Sequence, residues 1–300
     1  MAWATHREAE ILAGSGKAKA SNRMTLSEAL KRYKRDVSTT KDGQRWEELR
    51  LDRMDADLTF VGDWIEDITA DQIAEWRDLR LKQVASPTVR REMTLLSSVF
   101  EIARREWKCC TINPVREIKR PANNPPRDRR ISPEEEKALL KRFGYIEGLG
   151  PVTLQQELAY AFLLALETAM RQSEILGLTF NTVRLKDRYV RLPKTKNGEA
   201  RNVPLTKRAT ELLTLMVGDH GGEGTVFKLK SGSADAMFRK IRDELHIADL
   251  HFHDTRHEAT TRLARKVDVL DLARITGHKD LKSLMIYYNA TAAEMAARLD

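Results

Sequence analysis

Apolar residues recur at three- and four-residue intervals along much of this chain, and the intervals predict helices. Val89, Met93, Leu96, Phe100, Ala103 and Trp107 form one stripe, entered at Ser86-Pro87, where proline suits a first helical turn that needs no N–H. Thr25-Leu26-Ser27-Glu28 and Thr69-Ala70-Asp71-Gln72 read as capping boxes, the second leading into Ile73, Trp76, Leu79 and Leu81. Ser132-Pro133-Glu134-Glu135 opens a further helix, and Leu158 to Ala169 reads as a buried one.

Between Val183 and Leu205 the period changes. Tyr189-Val190-Arg191-Leu192 and Ala200-Arg201-Asn202-Val203 flank Asn197-Gly198, a two-residue hairpin signal. Thr206 opens another helix, and the remainder reads helical to the end. The predicted fold class is therefore mainly α with a small antiparallel β-sheet. The periodicity fails between Pro114 and Ser132, a proline-containing stretch with linker composition. The expected organisation is a flexible arm over 1–24, a helical domain over 25–118, a basic Pro-rich linker over 119–131 and a second domain over 132–300.

Charge sharpens this picture. Lys and Arg number 52 against 44 Asp and Glu, an excess of 8, and the sequence pI is about 9.4. From Arg104 to Arg130 nine basic residues face three acidic ones, so most of the excess lies where the two domains join. A polyanionic partner, double-stranded DNA, fits that concentration. Arg90 and Arg91, opposite the apolar stripe, and Lys119, Arg120, Arg127, Arg129 and Arg130 in the linker are the candidate phosphate contacts. Hydrophobic residues make up 41% of the chain, yet no run approaches the roughly 18–20 apolar residues of a membrane span. Met1 to Arg23 lacks the apolar core of a signal peptide. The two adjacent cysteines, Cys109 and Cys110, cannot close a long loop and suggest a reducing, cytoplasmic setting. One of them is expected to be packed and the other to lie near the surface.

The chemistry-bearing residues lie in the second half. Arg171 follows the apolar helix and precedes Glu174, a carboxylate placed to orient it. Lys196 stands beside the Asn197-Gly198 turn. His253-Asp254-Thr255-Arg256, Gly277-His278 and the pair Tyr287-Tyr288 follow. Guanidinium groups bind phosphate oxygens bidentately and stay charged. A tyrosine attacking a phosphodiester needs help, because only about a thousandth of free phenol is ionised at neutral pH. Fixed cations would stabilise both the phenolate and the extra charge on phosphorus. His251, His253 and His257 invite a metal reading, but Arg256 intervenes and the second histidine of a zinc-protease helix is missing, so no metal is expected.

Arg, Lys, His-x-x-Arg, His and Tyr in this order closely resemble the tyrosine recombinases, the phage-integrase family of site-specific DNA recombinases. The resemblance covers about residues 131 to 290. It implies a tyrosine-recombinase catalytic domain over 132–300 and a helical core-binding domain over 25–118, together closing around duplex DNA. It places the catalytic roles on Arg171, Lys196, His253, Arg256, His278 and Tyr287, with Glu174 in support. Lys196 is selected over Lys194 by its distance from Val203-Pro204-Leu205, and Tyr287 over Tyr288 by its spacing from His278. His253 would transfer protons and His278 would donate a hydrogen bond to phosphate. The implied reaction passes through a 3′-phosphotyrosyl intermediate in a tetramer on DNA, without ATP, metal or other cofactor. Ile275-Thr276 depart from the Leu-Leu or Leu-Gly usual before the Gly-His pair. The alternatives are a type IB topoisomerase, which relaxes DNA with nearly the same chemistry, and a non-catalytic DNA-binding protein on the same fold.

Overall fold

The computed structural model describes residues 22–125, 127–193, 200–218 and 223–288. The chain divides into two compact units, Met1–Pro126 and Arg127–Asp300, a break that falls inside the predicted linker.

Among the described residues the first unit is built on the α-helices α1 (Leu26–Asp36), α2 (Gln44–Asp57), α3 (Ala70–Leu81) and α4 (Ser86–Ile102). Thr25 and Thr69 close full capping boxes with Glu28 and Gln72, satisfying N–H groups that a helix leaves unpaired at its start. Every residue of the Val89-to-Trp107 stripe is buried, the last two in a π-helical turn (Ala103–Trp107) that continues α4. The α3 pattern resolves differently. Leu79 and Leu81 are exposed, and Arg80 is buried instead, its guanidinium bonded twice to the buried Glu92 of α4 at 2.9 Å. A paired charge satisfies the interior as an isolated one could not. Helix α2 was not anticipated, because its charged residues are too evenly spread to mark one face. Cys109 and Cys110 are both buried, contrary to the expectation that one lies near the surface, and burial pushes the Cys110 thiol up to about 11.

The second unit is organised around α6 (Leu154–Thr168), whose residues from Leu158 to Leu166 are all buried. A helix apolar on every side belongs in the middle of a domain. Around it lie α5 (Pro133–Phe143), α7 (Gln172–Leu176), α8 (Lys207–Val217), α9 (Ser231–Glu244), α10 (Asp254–Ala264), α11 (Val269–Thr276) and the short α12 (Lys282–Met285). The predicted sheet is present, with antiparallel strands β1 (Val183–Arg184), β2 (Tyr189–Leu192) and β3 (Arg201–Pro204) in that order. The Asn197-Gly198 turn lies outside the described residues. An unbroken ladder closed by two residues there would set Leu192 opposite Val203, whereas the observed register sets Leu192 opposite Arg201 and Val190 opposite Val203. Thus the fold class is as the sequence predicted, mainly helical with one small antiparallel sheet.

Candidate active site

Helix α6 ends at Ala169, which takes a left-handed conformation at φ 54°, and the chain turns sharply into Arg171. Arg171 caps α7, and its backbone N–H and Nη1 both donate to the Glu174 carboxylate at 2.9 Å. A second arginine, Arg201 of β3, grips the same carboxylate from the other side, Nη1 to Oε1 at 2.9 Å and Nη2 to Oε2 at 2.7 Å. Burial alone would raise the Glu174 carboxyl, but the bonds from Arg201 and from the Arg171 backbone outweigh it and hold it at about 2.

Arg201 was not singled out from the sequence, although a signal was there. It sits two residues before Val203 and so shares the inward face of β3. An arginine at an inward strand position needs acceptors within the fold, a carboxylate foremost. Its Nε also donates to the Ile275 carbonyl at 3.0 Å, tying the sheet to the end of α11. There Gly277 stands at φ 72°, and a Cβ on it would lie 3.2–3.3 Å from the Arg201 guanidinium and Cδ. The left-handed backbone and this close approach together favour glycine there.

Arg256, on α10, is buried, and its ends reach the termini of two other helices. Nη1 donates to the Ala169 carbonyl beyond α6 and Nη2 to the Thr276 carbonyl at the end of α11, both at 2.6 Å. Helix C-termini leave carbonyls unpaired and carry partial negative charge, so one guanidinium satisfies both. Burial, and then the neighbouring Arg171, push Arg256 down to about 10, still charged at neutral pH. Arg171, Arg201 and Arg256 against the single Glu174 leave an excess of two positive charges. His278 lies among these guanidiniums. Burial first, then Arg256, Arg171 and Arg201, hold its imidazole down at about 4.

Tyr287 follows α12 in a turn rather than a helix. Its ring packs against that of His257, with centroids 5.1 Å apart, and burial raises its hydroxyl against the lowering effect of Arg256. The hydroxyl of Tyr288 donates instead to the Val267 carbonyl at 2.9 Å. His253 stands exposed at the start of α10, three residues before the buried Arg256. Lys196 lies outside the described residues. Thus Arg171, Glu174, Arg256, His278 and Tyr287 share one region, together with Arg201 and His257. Such a cluster has the charge to attract an anion and holds a tyrosine hydroxyl in the same region. Among the described residues no group of three or more His, Cys, Asp or Glu side chains is arranged to hold a metal.

Three of the linker arginines have carboxylate partners. Arg127 bonds Asp249 and Asp254, Arg129 bonds Glu135, and Arg130 bonds the buried Glu258. On the other side of the break, Arg90 donates to the Pro121 carbonyl, Arg120 to Thr94, and Arg91 to Pro87 of its own helix. Lys119 is exposed, and its carbonyl accepts from Arg77. We therefore expect Arg130→Ala to lower the unfolding free energy by about 1–3 kcal/mol, because the buried Glu258 would keep Arg262 but lose one partner. The salt dependence of DNA binding should be unchanged. Urea unfolding and a salt titration check both halves, and a salt slope reduced by about 0.9 with unaltered stability would restore the phosphate-contact role.

The chain matches the model of the phage integrase family over residues 129–294. It is 38% identical to an integrase/recombinase of Haemophilus influenzae over 92% of this chain and 90% of that one. It is 37% identical to the shufflon-specific DNA recombinase of Escherichia coli, over 93% of this chain and 72% of that one. A solved lambda integrase tetramer bound to a Holliday junction has the same fold, with a TM-score of 0.68 at 20% identity, covering 91% of this chain and 85% of that chain. Motif order, fold and these relatives agree, and the chain belongs to the phage integrase family, the tyrosine recombinases that cut and rejoin DNA at specific sites.

Proposed function

We propose that Tyr287 attacks a phosphodiester of double-stranded DNA, forming a 3′-phosphotyrosyl intermediate and releasing a 5′-hydroxyl. Arg171 and Arg256 hold the non-bridging oxygens, and Glu174 with Arg201 fixes the Arg171 guanidinium. His253 moves protons, Lys196 protonates the departing oxygen, and His278 contacts the phosphate. A 5′-hydroxyl from a second strand then reverses the step, so the bond energy is conserved. The observation that carries this reading is the half-buried Tyr287 in the field of Arg256, beside a neighbouring tyrosine whose hydroxyl is committed to the backbone.

The exposed Arg91, Lys119 and Arg120 extend the basic surface of the first unit toward DNA phosphates. Exchange between two sites calls for a tetramer, as in the lambda integrase bound to a Holliday junction. The expected setting is cytoplasmic, and no helix among the described residues is long and apolar enough to cross a membrane. Relatives named as recombinases favour exchange over relaxation of supercoils.

Enzymes of this family need neither ATP nor metal. Incubated in EDTA without nucleotide, this protein should form a covalent adduct on a nicked suicide substrate carrying its site, because guanidiniums supply the charge stabilisation. Loss of the adduct in EDTA, restored by added Mg²⁺ or Zn²⁺, would overturn the mechanism.

A further inference from the structure

The fully buried Thr276 ends α11 two residues before His278. Its hydroxyl oxygen lies 2.6 Å from the Leu272 carbonyl oxygen and also 2.6 Å from Nδ1 of His278. A hydroxyl carries one proton, and a carbonyl oxygen carries none. At 2.6 Å two oxygens without a proton between them would set lone pair against lone pair. The proton therefore lies toward Leu272, the usual bond of a helical threonine to the carbonyl four residues back. The same oxygen can then only accept from the ring, so Nδ1 carries the hydrogen and Nε2 carries the lone pair.

The ring's surroundings make the tautomer matter. Burial, and then the positive charges of Arg256 on α10, Arg171 at the head of α7 and Arg201 on β3, favour the neutral imidazole of His278. A neutral ring protonated at Nδ1 has no hydrogen to offer at Nε2. The hydrogen bond made by one ring nitrogen sets the state of the other.

We propose that Thr276 is a positioning residue that locks His278 in the Nδ1–H tautomer, so that Nε2 donates to the scissile phosphodiester only after taking up a proton. His278 is thus not the ready-made donor that its motif suggests. A phosphodiester brought among the three guanidiniums offsets their repulsion of an imidazolium, so DNA binding and proton uptake are linked. Threonine is this chain's departure from the Leu-Leu or Leu-Gly usual before the Gly-His pair. The second half of the proposal rests on the placement of His278 at the phosphate, and the first half does not.

The test uses the full chain labelled with ¹⁵N in its histidine rings, with the His278 signals identified by their loss in His278→Gln. At neutral pH without DNA, Nδ1 should appear protonated and Nε2 unprotonated in the native protein and in Thr276→Ser. Thr276→Val, similar in shape but without the hydroxyl, should shift the ring toward Nε2–H. Titration calorimetry of DNA binding in buffers of different ionisation heat should then show up to about one more proton taken up by the native protein and Thr276→Ser than by Thr276→Val. An Nε2–H ring in the native protein would overturn the proposal, whether or not the valine variant folds. Equal proton uptake by all three would overturn the linkage. Normal cleavage by His278→Gln would overturn the placement at the phosphate while leaving the tautomer result standing.

Discussion

Tyr287→Phe should abolish the covalent protein–DNA adduct while leaving the fold and the affinity for DNA in place. The substitution removes one hydroxyl from a ring that keeps its packing on His257. Affinity for DNA comes mainly from phosphate contacts spread over the protein, so losing a neutral hydroxyl costs little binding. Chemistry has no such reserve, because the hydroxyl of the neighbouring Tyr288 is bonded to the Val267 carbonyl. Tyr288→Phe gives the contrasting result. It loses the bond to the Val267 carbonyl, worth roughly 1 kcal/mol, and still forms the adduct. Trapping on a nicked suicide substrate measures both variants, and peptide mapping of the native adduct gives an independent answer. A nucleotide found on Tyr288 would transfer the nucleophile's role, and one found on a serine would end the tyrosine mechanism for this protein.

Arg256→Lys should cut the rate of adduct formation by about a thousandfold or more, the scale on which an arginine acts on a phosphoryl transition state. Lysine keeps the charge but is a single point donor. It cannot hold both the Ala169 and Thr276 carbonyls while also reaching a phosphate. The geometry lost is that of the ends of α6 and α11, and with it the placement of Arg171 and His278. Arg256→Ala should in addition destabilise the fold, because it leaves two inward-facing carbonyls without their donor. Single-turnover cleavage rates with chemical unfolding separate the two effects. A lysine variant that cleaves within tenfold of the native rate would show that Arg256 supplies only charge.

Much of the architecture was legible because its causes are local. Capping boxes at Thr25, Thr69 and Ser132 depend on residues three apart, and the stripe from Val89 to Trp107 depends on helical period. Helix α2 was missed because its burial rests on Leu51 and Met54 alone. Leu79 and Leu81 misled for a related reason. Periodicity says which residues share a face, but only the neighbouring helix shows that Arg80 finds Glu92 there.

The sequence by itself determined the order of the chemical groups, and thereby the family and the reaction class. Those residues are chosen for charge and proton transfer, which reside in the side chain whatever surrounds it. The tertiary structure decided who holds whom. Arg201 lies 27 residues from Glu174 in sequence, and Arg256 lies 87 from the Ala169 carbonyl. The basic linker looked like one surface for DNA, yet Arg127, Arg129 and Arg130 have carboxylate partners. Net charge sums along the chain, but an ion pair requires two side chains to meet. That meeting is fixed only when helices and strands pack.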